Sequence, residues 1–427
     1  MSNHPPILLM PQGSAGDVHP FVGIGLEMQR RGHHVTLATN GYFSELAERV
    51  GLPFVQIGTA EQFNEVAKNP DLWKPSIKST RVVFGVSAQV VPDQYALIQS
   101  LHEQDERLIV VAGPLAFGAR IAAEKLGVKH VTIQLAPAVF LSAVDPPRMP
   151  GVVLPTWLPL WIRKSVWNLA MSMVDRIACP DVNAFRSQVG LTKPMRQIIR
   201  WMNSDQLTVG MFPEWFAKPA SDWPSSVRLS SFGLYDERTD QTLPPEVQSF
   251  LNRGDKPVVF TPGSANCHGK AFFVESVKAC QLSGRRGILL SRYPETIPDK
   301  LPDTVKHFEF VPLSLLLPHC SALVYHGGIG TLSQACKAGV PHLVMKLSHD
   351  QFDNAYRLEQ LGVGQSCKPS GYKAGRVARM LDALILSPKV KQRCEQIRDQ
   401  MRAEDGVGAT CGLIEKMHAN VETSDQI

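Results

Sequence analysis

The sequence lacks the patterns that mark several large classes of protein. Its eight cysteines are scattered and form no Cys-x-x-Cys pair, which argues against a structural zinc site and a disulfide scaffold. No run of about 18 uninterrupted apolar residues indicates a membrane-spanning helix. There is no basic block or repeat, and the formal net charge is only +5, so no nucleic-acid partner is expected. We therefore expect reduced thiols and a cytoplasmic protein.

Two further absences concern metals and export. The sequence contains no Asp-x-Asp motif, so nothing indicates a carboxylate pair that carries a metal-bound diphosphate. The first six residues lack the charged n-region of a signal peptide and lead directly into an apolar run. We expect neither a metal nor another resident cofactor.

Apolar runs and helical stretches alternate in both halves of the 427 residues. Alternation of this kind predicts mostly parallel sheets with right-handed crossovers, and the length suits two domains. We predict an α/β protein with two doubly wound, Rossmann-like parallel-sheet domains facing a cleft. The domains are residues 1–235 and 247–427, joined by a polar linker at 236–246, and the last helices are free to pack back on the first domain. The predicted strands are 7–10, 34–39, 53–57, 108–112, 130–134, 257–260, 286–290, 305–309, 321–325 and 342–346.

The alternation is interrupted at 136–205, where prolines are frequent and three tryptophans lie beside basic residues. Trp157, Trp161 and Trp167 could form an apolar acceptor pocket or a face at a membrane interface. A helix that covers the sheet is the plainer interpretation, and ordinary burial of aromatic residues favours it.

The most informative stretch is 322–334, where an apolar strand ends in His326 and glycines and a helical sequence follows. Glycines allow a ligand close to the backbone, and the first N–H groups of a helix attract phosphate. We interpret this turn as a site for a nucleoside diphosphate, with His326 as an added donor. A purely structural turn is the alternative that this stretch alone leaves open.

Three other strand ends in the second half carry polar or aromatic residues. Gly263 and Ser264 could offer N–H and hydroxyl donors to a phosphate. Phe310 and Val311 could offer an aromatic face and a backbone edge to a nucleobase. Asp350 and Gln351 could hold sugar hydroxyls. Each motif also has a structural alternative. Gly263-Ser264 could be a turn of small residues, Phe310 could be a core aromatic, and Asp350 could cap a helix.

In the first half, a glycine-rich loop at 13–20 follows the first strand, and a helix is predicted from Phe21 to Arg31. Asp17 could act as a general base at this strand end, and His19 is a second candidate or a partner that orients Asp17. Local sequence by itself favours the alternative, in which Asp17 caps the helix and Pro20 lies in its first turn.

These motifs together resemble the two-domain (GT-B) nucleotide-sugar glycosyltransferases, over nearly the whole chain. The resemblance rests on the Gly16–Pro20 loop, Gly263-Ser264, and a signature that runs from His326 through Gln334 to Asp350-Gln351. Within the superfamily, stretches such as 215–224 and 348–362 look like rhamnosyltransferases of rhamnolipid synthesis.

The resemblance implies an inverting enzyme in which Asp17, with His19 as second candidate, is the base. Asp17 stands where most members have a histidine, although the sterol enzymes and some antibiotic enzymes also have aspartate there. Gln334 stands where many relatives bind the ribose through glutamate. The donor, a UDP- or dTDP-sugar, would be bound by Gly16, Ser264, Phe310, Val311, His326, Gly328, Gly330, Thr331, Gln334, Asp350 and Gln351.

We therefore expect a hexosyltransferase that moves a sugar, such as L-rhamnose, to a hydroxyl of an apolar acceptor, for which a lipid is one candidate. Peripheral contact with the inner membrane is left open. Glucose transfer to a sterol, polyketide or phenolic acceptor is an alternative. A silent nucleotide-binding accessory subunit and a sugar-nucleotide epimerase are alternatives of a different class. The sequence does not fix the oligomeric state.

Overall fold

The computed structural model describes residues 4–74, 76–235, 242–263 and 266–424, with side chains as far as residue 419. Ser264 and the linker residues 236–241 lie outside the described residues. The chain divides into two compact units. The first comprises Met1–Pro147, Gly151–Tyr235 and Asp405–Ile427, and the second comprises Arg148–Pro150 and Asp236–Glu404.

The first unit is built on a seven-stranded sheet in which every pair is parallel. The strand order is β3-β2-β1-β4-β5-β6-β7. The strands are β1 (Ile7–Met10), β2 (Val35–Thr39), β3 (Phe54–Gln56), β4 (Ile109–Ala112), β5 (Lys129–Gln134), β6 (Leu207–Gly210) and β7 (Val227–Leu229). The helices between them are α1 (Ala15–Arg30), α2 (Ser44–Val50), α3 (Ala60–Lys68), α4 (Ile77–Gln89), α5 (Val91–Gln104), α6 (Phe117–Leu126), α7 (Leu160–Gln188) and α8 (Ile198–Trp201).

The second unit has a six-stranded parallel sheet in the order β10-β9-β8-β11-β12-β13. Its strands are β8 (Val258–Thr261), β9 (Gly287–Leu290), β10 (Val305–Phe308), β11 (Ala322–Tyr325), β12 (His342–Met345) and β13 (Gly364–Cys367). Its helices are α9 (Pro245–Leu251), α10 (Lys270–Ser283), α11 (Leu313–Leu316), α12 (Ile329–Ala338), α13 (Gln351–Gln360), α14 (Ala374–Ile385) and α15 (Pro388–Arg402).

The last helix, α16 (Gly406–Ser424), belongs to the first unit and packs on α1. Arg31, just after α1, donates to the Glu415 carboxylate at 2.7 Å and to the Gly408 carbonyl at 3.0 Å. Ile414 and Cys411 are fully buried in the same core as β1 and β4. The end of the chain is therefore part of the first unit's core.

Strand order reverses beside the first strand of each sheet, because β1 lies between β2 and β4 and β8 lies between β9 and β11. The central strands β1, β4, β8 and β11 are apolar and almost fully buried, as expected for strands covered on both faces. In open parallel sheets, ligands bind outside the carboxyl ends of the strands at such reversals. This rule selects the segments after β1, β8 and β11.

The predicted pair of parallel, Rossmann-like sheets is confirmed. Strands β6, β7 and β13 were not predicted, and two of these are edge strands with polar or small residues. The helical stretch predicted at 77–103 is two helices, α4 and α5, which meet at Val90 just before Pro92. Proline cannot continue the hydrogen bonding of the preceding helix, so the break occurs there.

Candidate active site

The segment after β1 places Asp17 in the first turn of α1. Ser14 is the N-cap residue, and both its backbone N–H and its hydroxyl donate to Oδ2 of Asp17, at 2.7 and 3.0 Å. The bond from the Ser14 N–H to the carboxylate is one half of a capping box, which satisfies donors at the helix start. The carboxylate therefore has a fixed position at the positive end of a 16-residue helix.

Gly13 explains why the carboxylate can lie where it does. Its φ of +136° is unfavourable for other residues, and a Cβ atom built there would lie 2.3 Å from Oδ2 of Asp17. Only glycine leaves room for the carboxylate against the backbone of the loop. The sequence pointed to Gly16 instead, which is an exposed residue in the first turn of α1.

The prediction of a loop at 13–20 and a helix from Phe21 was wrong, because α1 begins at Ala15 and includes Pro20. The capping box starts the helix six residues earlier than predicted. Pro20 lies near the N-terminus, where its missing N–H removes one bond to the Gly16 carbonyl without ending the helix. Gly16, Asp17 and His19 are therefore helical residues.

The helical geometry separates the two candidate bases. Asp17 and His19 are two positions apart, and side chains at that spacing do not share a helix face. The His19 ring packs edge-on against Tyr235, with 5.9 Å between ring centroids. Asp17 and His19 therefore both remain candidate bases, and Asp17 is the one bound to the N-cap residue of the helix.

In the second unit, the segments after β8 and β11 lie side by side and enclose His326. A Cβ atom at Gly263 would lie 2.9 Å from the imidazole ring, and one at Gly328 would lie 2.4 Å from Nε2. Gly263 and Gly327 have φ angles of +102° and +96°. The ring is therefore held between two backbone segments that accept only glycine.

Burial lowers the pKa of His326 to about 4, so the ring is neutral at pH 7. Its Nδ1 atom is buried and has no hydrogen-bond partner among the described residues. A buried ring nitrogen without a partner is available for a hydrogen bond with a ligand. His326 thus offers one N–H donor, and not a permanent positive charge, to a ligand at this turn.

Helix α12 starts directly after this ring with Gly328 as its N-cap, and no side chain caps it. Gly330 and Thr331 are its second and third residues, so their N–H groups have no acceptor within the helix. The Thr331 hydroxyl and the Gln334 side chain make no hydrogen bond with another described residue, and both are partly exposed. The helix start can therefore accept an anion. Ser264, predicted as a further phosphate ligand, lies outside the described residues.

Phe310 and Val311 follow β10, where a nucleobase was predicted to bind. The Phe310 side chain is 42% exposed, whereas Val311 is buried. The guanidinium of Arg292, from the segment after β9, lies 5.3 Å from the Phe310 ring centroid. Arg292 was not identified from the sequence, because arginines in polar segments are common and its partner lies 18 residues later.

Asp350 and Gln351 lie at the start of α13, as predicted, but their side chains differ in how many polar atoms are available to a ligand. Asp350 precedes the helix, and burial, opposed by a hydrogen bond from Asn354, raises its pKa to about 6. The Gln351 amide oxygen accepts the Leu347 and Ser348 N–H groups at 2.8 and 3.1 Å, and the residue is 4% exposed. Its carbonyl therefore fixes the turn that carries Asp350, which leaves only its amide NH₂ for a sugar.

Asn354 joins the two parts of the predicted donor site, and sequence reasoning missed it. Its fully buried NH₂ group donates to Oδ2 of Asp350 at 2.7 Å and to the Gly327 carbonyl at 3.0 Å. One side chain thus fixes the distance between the His326 turn and Asp350. Its spacing of four residues from Asp350, one helical turn, is the signal that was available in the sequence.

We expect Asp350→Asn to stabilise the protein at neutral pH while impairing transfer. The pKa of Asp350 is raised from 3.8 to about 6, so its ionised form disfavours the folded state above pH 6. A rise of about two pKa units corresponds to about 2.7 kcal/mol in the free energy of unfolding, and the partial exposure of Asp350 reduces this to about 1 kcal/mol. Thermal unfolding should show the gain at pH 7.5, and the gain should diminish as pH falls from about 6 towards 4, where the wild-type carboxyl becomes neutral.

Asp353→Asn is the matched control for that variant. Asp353 lies three residues after Asp350, in the first turn of α13, is 1% exposed, and accepts from Nε of Arg357 at 2.7 Å. Removing its charge breaks a buried ion pair and should lower stability at pH 7.5. A loss of stability in both variants would contradict the claim that the ionised carboxylate of Asp350 destabilises the folded state.

The tryptophans of 157–167 are divided between core and surface. Trp167 is 3% exposed, and its Nε1 donates to the Ser142 carbonyl at 2.9 Å. Trp157 and Trp161 are instead strongly exposed. The ordinary burial of aromatic residues that was expected here therefore holds for Trp167 and fails for Trp157 and Trp161.

Within the described residues, no group of three or more His, Cys, Asp or Glu side chains is arranged to hold a metal ion. The cysteines are free thiols, seven of them buried, and burial raises the pKa of Cys280 and Cys320 to about 12. The raised pKa values disfavour these two thiols as nucleophiles. The candidate residues that remain are Asp17 and those of the predicted donor site.

Two family models match this chain in the order of its two units. Residues 7–144 match the glycosyltransferase family 28 N-terminal domain, and residues 291–408 match the C-terminal domain of erythromycin biosynthesis protein CIII-like proteins. The first match contains Asp17, and the second contains Phe310, His326 and Asp350.

Similar proteins cover almost all of the chain. A sterol 3-beta-glucosyltransferase of Arabidopsis thaliana is 26% identical over 94% of this chain, which spans 64% of that longer protein. O-mycaminosyltylonolide 6-deoxyallosyltransferase of Streptomyces fradiae is 26% identical over 96% of this chain and 97% of its own length.

Solved structures share the fold at low sequence identity. The glycotransferase of kitacinnamycin superposes with a TM-score of 0.74 at 19% identity, covering 97% of this chain and 99% of that one. Spinosyn rhamnosyltransferase SpnG complexed with thymidine diphosphate superposes with a TM-score of 0.67 at 19% identity, covering 96% and 100%. With these likenesses, the two family matches identify the chain as a glycosyltransferase of the GT-B fold, in which the first unit matches a family 28 N-terminal domain and the second an EryCIII-like C-terminal domain.

Proposed function

We propose that this enzyme transfers a hexose from a nucleoside diphosphate to a hydroxyl of an apolar acceptor, with inversion and without a metal. The observation that carries the proposal is the uncapped start of α12 beside the neutral, half-buried His326, whose buried Nδ1 has no partner among the described residues. An uncapped helix start and a buried donor suit a diphosphate better than a neutral ligand.

The proposed reaction is a single displacement. Asp17 accepts the proton of the acceptor hydroxyl while that oxygen bonds to the anomeric carbon of the sugar. The bond between the anomeric carbon and the diphosphate oxygen breaks, and its electron pair leaves with the diphosphate. The N–H groups at the start of α12 and the His326 N–H stabilise the charge that develops on the leaving group.

The parts of the donor are assigned to separate elements of the second unit. We place the nucleobase against Phe310 and the backbone of Val311, the ribose at Gln334, and the transferred sugar at Asp350 and the amide of Gln351. Ser264 is retained as a phosphate ligand on the basis of sequence alone.

Several findings support a deoxyhexose on dTDP or UDP, with L-rhamnose as the first candidate. A structural neighbour is a spinosyn rhamnosyltransferase with bound thymidine diphosphate, and a relative is a 6-deoxyallosyltransferase. The stretch 348–362, which contains Asp350 and Asn354, resembles rhamnosyltransferases of rhamnolipid synthesis. Glucose transfer to a sterol remains the second candidate, because a sterol glucosyltransferase is equally similar in sequence.

The deciding experiment is a screen of the purified enzyme, with excess chelator present. UDP- and dTDP-sugars are paired with 3-hydroxyacyl lipids, sterols and phenolics, and products are detected by mass spectrometry. We expect a mass increase of one deoxyhexose on a lipid acceptor. Consumption of donor without an acceptor would favour an epimerase, and nucleotide binding with no turnover of any pair would favour a silent accessory subunit.

A further inference from the structure

The first unit exposes a group of large apolar side chains on and just before α7. Trp157 is 79% exposed, Trp161 is 70% exposed and Leu169 is 66% exposed. We call this group the Trp face; its members are Val153, Trp157, Leu160, Trp161, Leu169 and Met173. Isolated exposed apolar residues are normal, but two neighbouring exposed tryptophans with four aliphatic or thioether side chains form a patch.

Helical geometry gathers much of the Trp face on one side of α7. At about 100° per residue, Trp161, Leu169 and Met173 fall within an arc of about 120°. Ser165, Ser172 and Arg176 are exposed polar residues in the same arc, and the exposed Lys164 and Asn168 lie about 60° and about 20° outside it. The opposite side of the helix buries Trp167 and Met171 in the unit. The side of the helix that faces solvent therefore mixes large apolar side chains with polar and basic ones.

The exposed tryptophans are held by a rigid support. Arg163 donates to the carbonyls of Leu158, Ala143 and Val144 at 3.0, 2.6 and 3.1 Å. Asp222 accepts from the Ser142 hydroxyl and the Ala143 N–H, both at 2.6 Å. The segment that carries Trp157 is thus tied to the body of the unit, and the two rings are presented at a fixed place.

Basic side chains outnumber acidic ones on the part of α7 that carries the Trp face. Residues 160–176 contain Arg163, Lys164 and Arg176 against one acid, Asp175. Asp175 accepts two backbone N–H groups at the start of α8, at 2.8 and 2.9 Å. Lys164 and Arg176 are exposed, and the exposed Asp145 lies before the segment.

We infer that the Trp face docks on the surface of a bilayer that contains anionic lipid. Tryptophan favours the boundary between headgroups and acyl chains, and lysine and arginine beside it attract anionic headgroups. A second copy of the chain is the competing occupant, and the oligomeric state of wild type and W157A/W161A tests it. Among the described residues no helix is long and apolar enough to cross a membrane, so this contact would be peripheral.

The test is co-sedimentation of the full-length protein with phosphatidylcholine vesicles, with and without phosphatidylglycerol. Wild-type protein should pellet with the anionic vesicles. The double variant W157A/W161A should lower the partition coefficient at least about tenfold, and K164E/R176E should do so at least about tenfold on anionic vesicles. The matched controls are L282A/L386A, which removes apolar side chains that are 67% and 70% exposed in the second unit, and K389E/K391E. Both should bind like wild type.

Folding and donor binding provide the internal checks. Each variant should keep the wild-type melting temperature and bind dTDP or UDP normally, because the donor site lies in the second unit. Equal pelleting of wild type and W157A/W161A, or no pelleting of wild type with anionic vesicles, would overturn the inference. So would a wild-type dimer, seen by light scattering, that W157A/W161A converts to a monomer. The proposed transfer activity is tested separately, in the screen described above with the acceptor dispersed in the absence of vesicles.

Discussion

Asp17→Asn should reduce the turnover number for glycosyl transfer by about 10²- to 10⁴-fold, the range expected for loss of a general base. The substitution preserves size, and the asparagine oxygen can still accept from the N–H and hydroxyl of Ser14. Stability should therefore fall by only about 0.5 kcal/mol through the lost charge at the helix start. Binding of dTDP or UDP, measured by calorimetry, should stay near normal.

Ser14→Ala separates the structural role of Asp17 from the catalytic one. It removes the capping hydroxyl, which lies 3.0 Å from Oδ2 of Asp17, but keeps the base. Capping substitutions lower stability by about 1 kcal/mol, so Ser14→Ala should have a lower melting temperature than Asp17→Asn. It should nevertheless keep most of the wild-type turnover. His19→Ala tests the second candidate base and should also remain active.

The opposite pattern would refute the assignment of the base. If folded Asp17→Asn keeps turnover within a few-fold of wild type, Asp17 is only a helix cap. If His19→Ala is the inactive variant, the proton is taken from the other side of α1.

His326→Ala should weaken binding of dTDP or UDP by about tenfold to a hundredfold, the effect of losing a hydrogen bond to a charged group. The ring is enclosed by Gly263 and Gly328, and its Nδ1 lacks a partner among the described residues. Calorimetry with excess chelator present measures the loss. An unchanged dissociation constant would remove His326 from the donor site.

The same residue should make binding depend on pH in a defined direction. The free ring has a pKa of about 4, and a bound diphosphate raises that pKa because it favours the protonated form. Below the pKa of the ring in the complex, the complex holds more protons than the free protein, so affinity should rise as pH falls through that value and should level off below about 4. His326→Gln keeps an N–H donor but cannot titrate. The pH dependence of nucleotide affinity in this variant therefore reports the nucleotide's own phosphate, and subtracting it from the wild-type dependence leaves the contribution of His326.

The sequence predicted most of the fold because the central strands are buried on both faces. Runs such as Ile7–Met10 and Ala322–Tyr325 are continuously apolar, a pattern that parallel strands in a covered sheet require. Edge strands lack this requirement, and β13, with sequence GQSC, carries no such signal. The start of α1 was misplaced because Pro20 was interpreted as a boundary, whereas the capping of Ser14 and Asp17 determines it.

For the candidate site, the sequence supplied the residues at strand ends but not their hydrogen-bond partners. His326, Phe310 and Asp350 are marked by adjacent glycines or a helix start, which are local signals. Asn354 and Arg292 act through contacts to residues 27 and 18 positions away, and a single sequence contains no record of such pairs. The low pKa of His326 also depends on burial by Gly263, which comes from another strand end.

The anomeric configuration of the product tests the central claim most directly. The enzyme is incubated with the donor identified by the screen and its acceptor, with excess chelator present, and the glycoside is examined by NMR. A single displacement assisted by Asp17 predicts a product with the configuration opposite to that of the donor, formed by wild type and not by Asp17→Asn. Retention of configuration, or release of free sugar in place of a glycoside, would contradict the account.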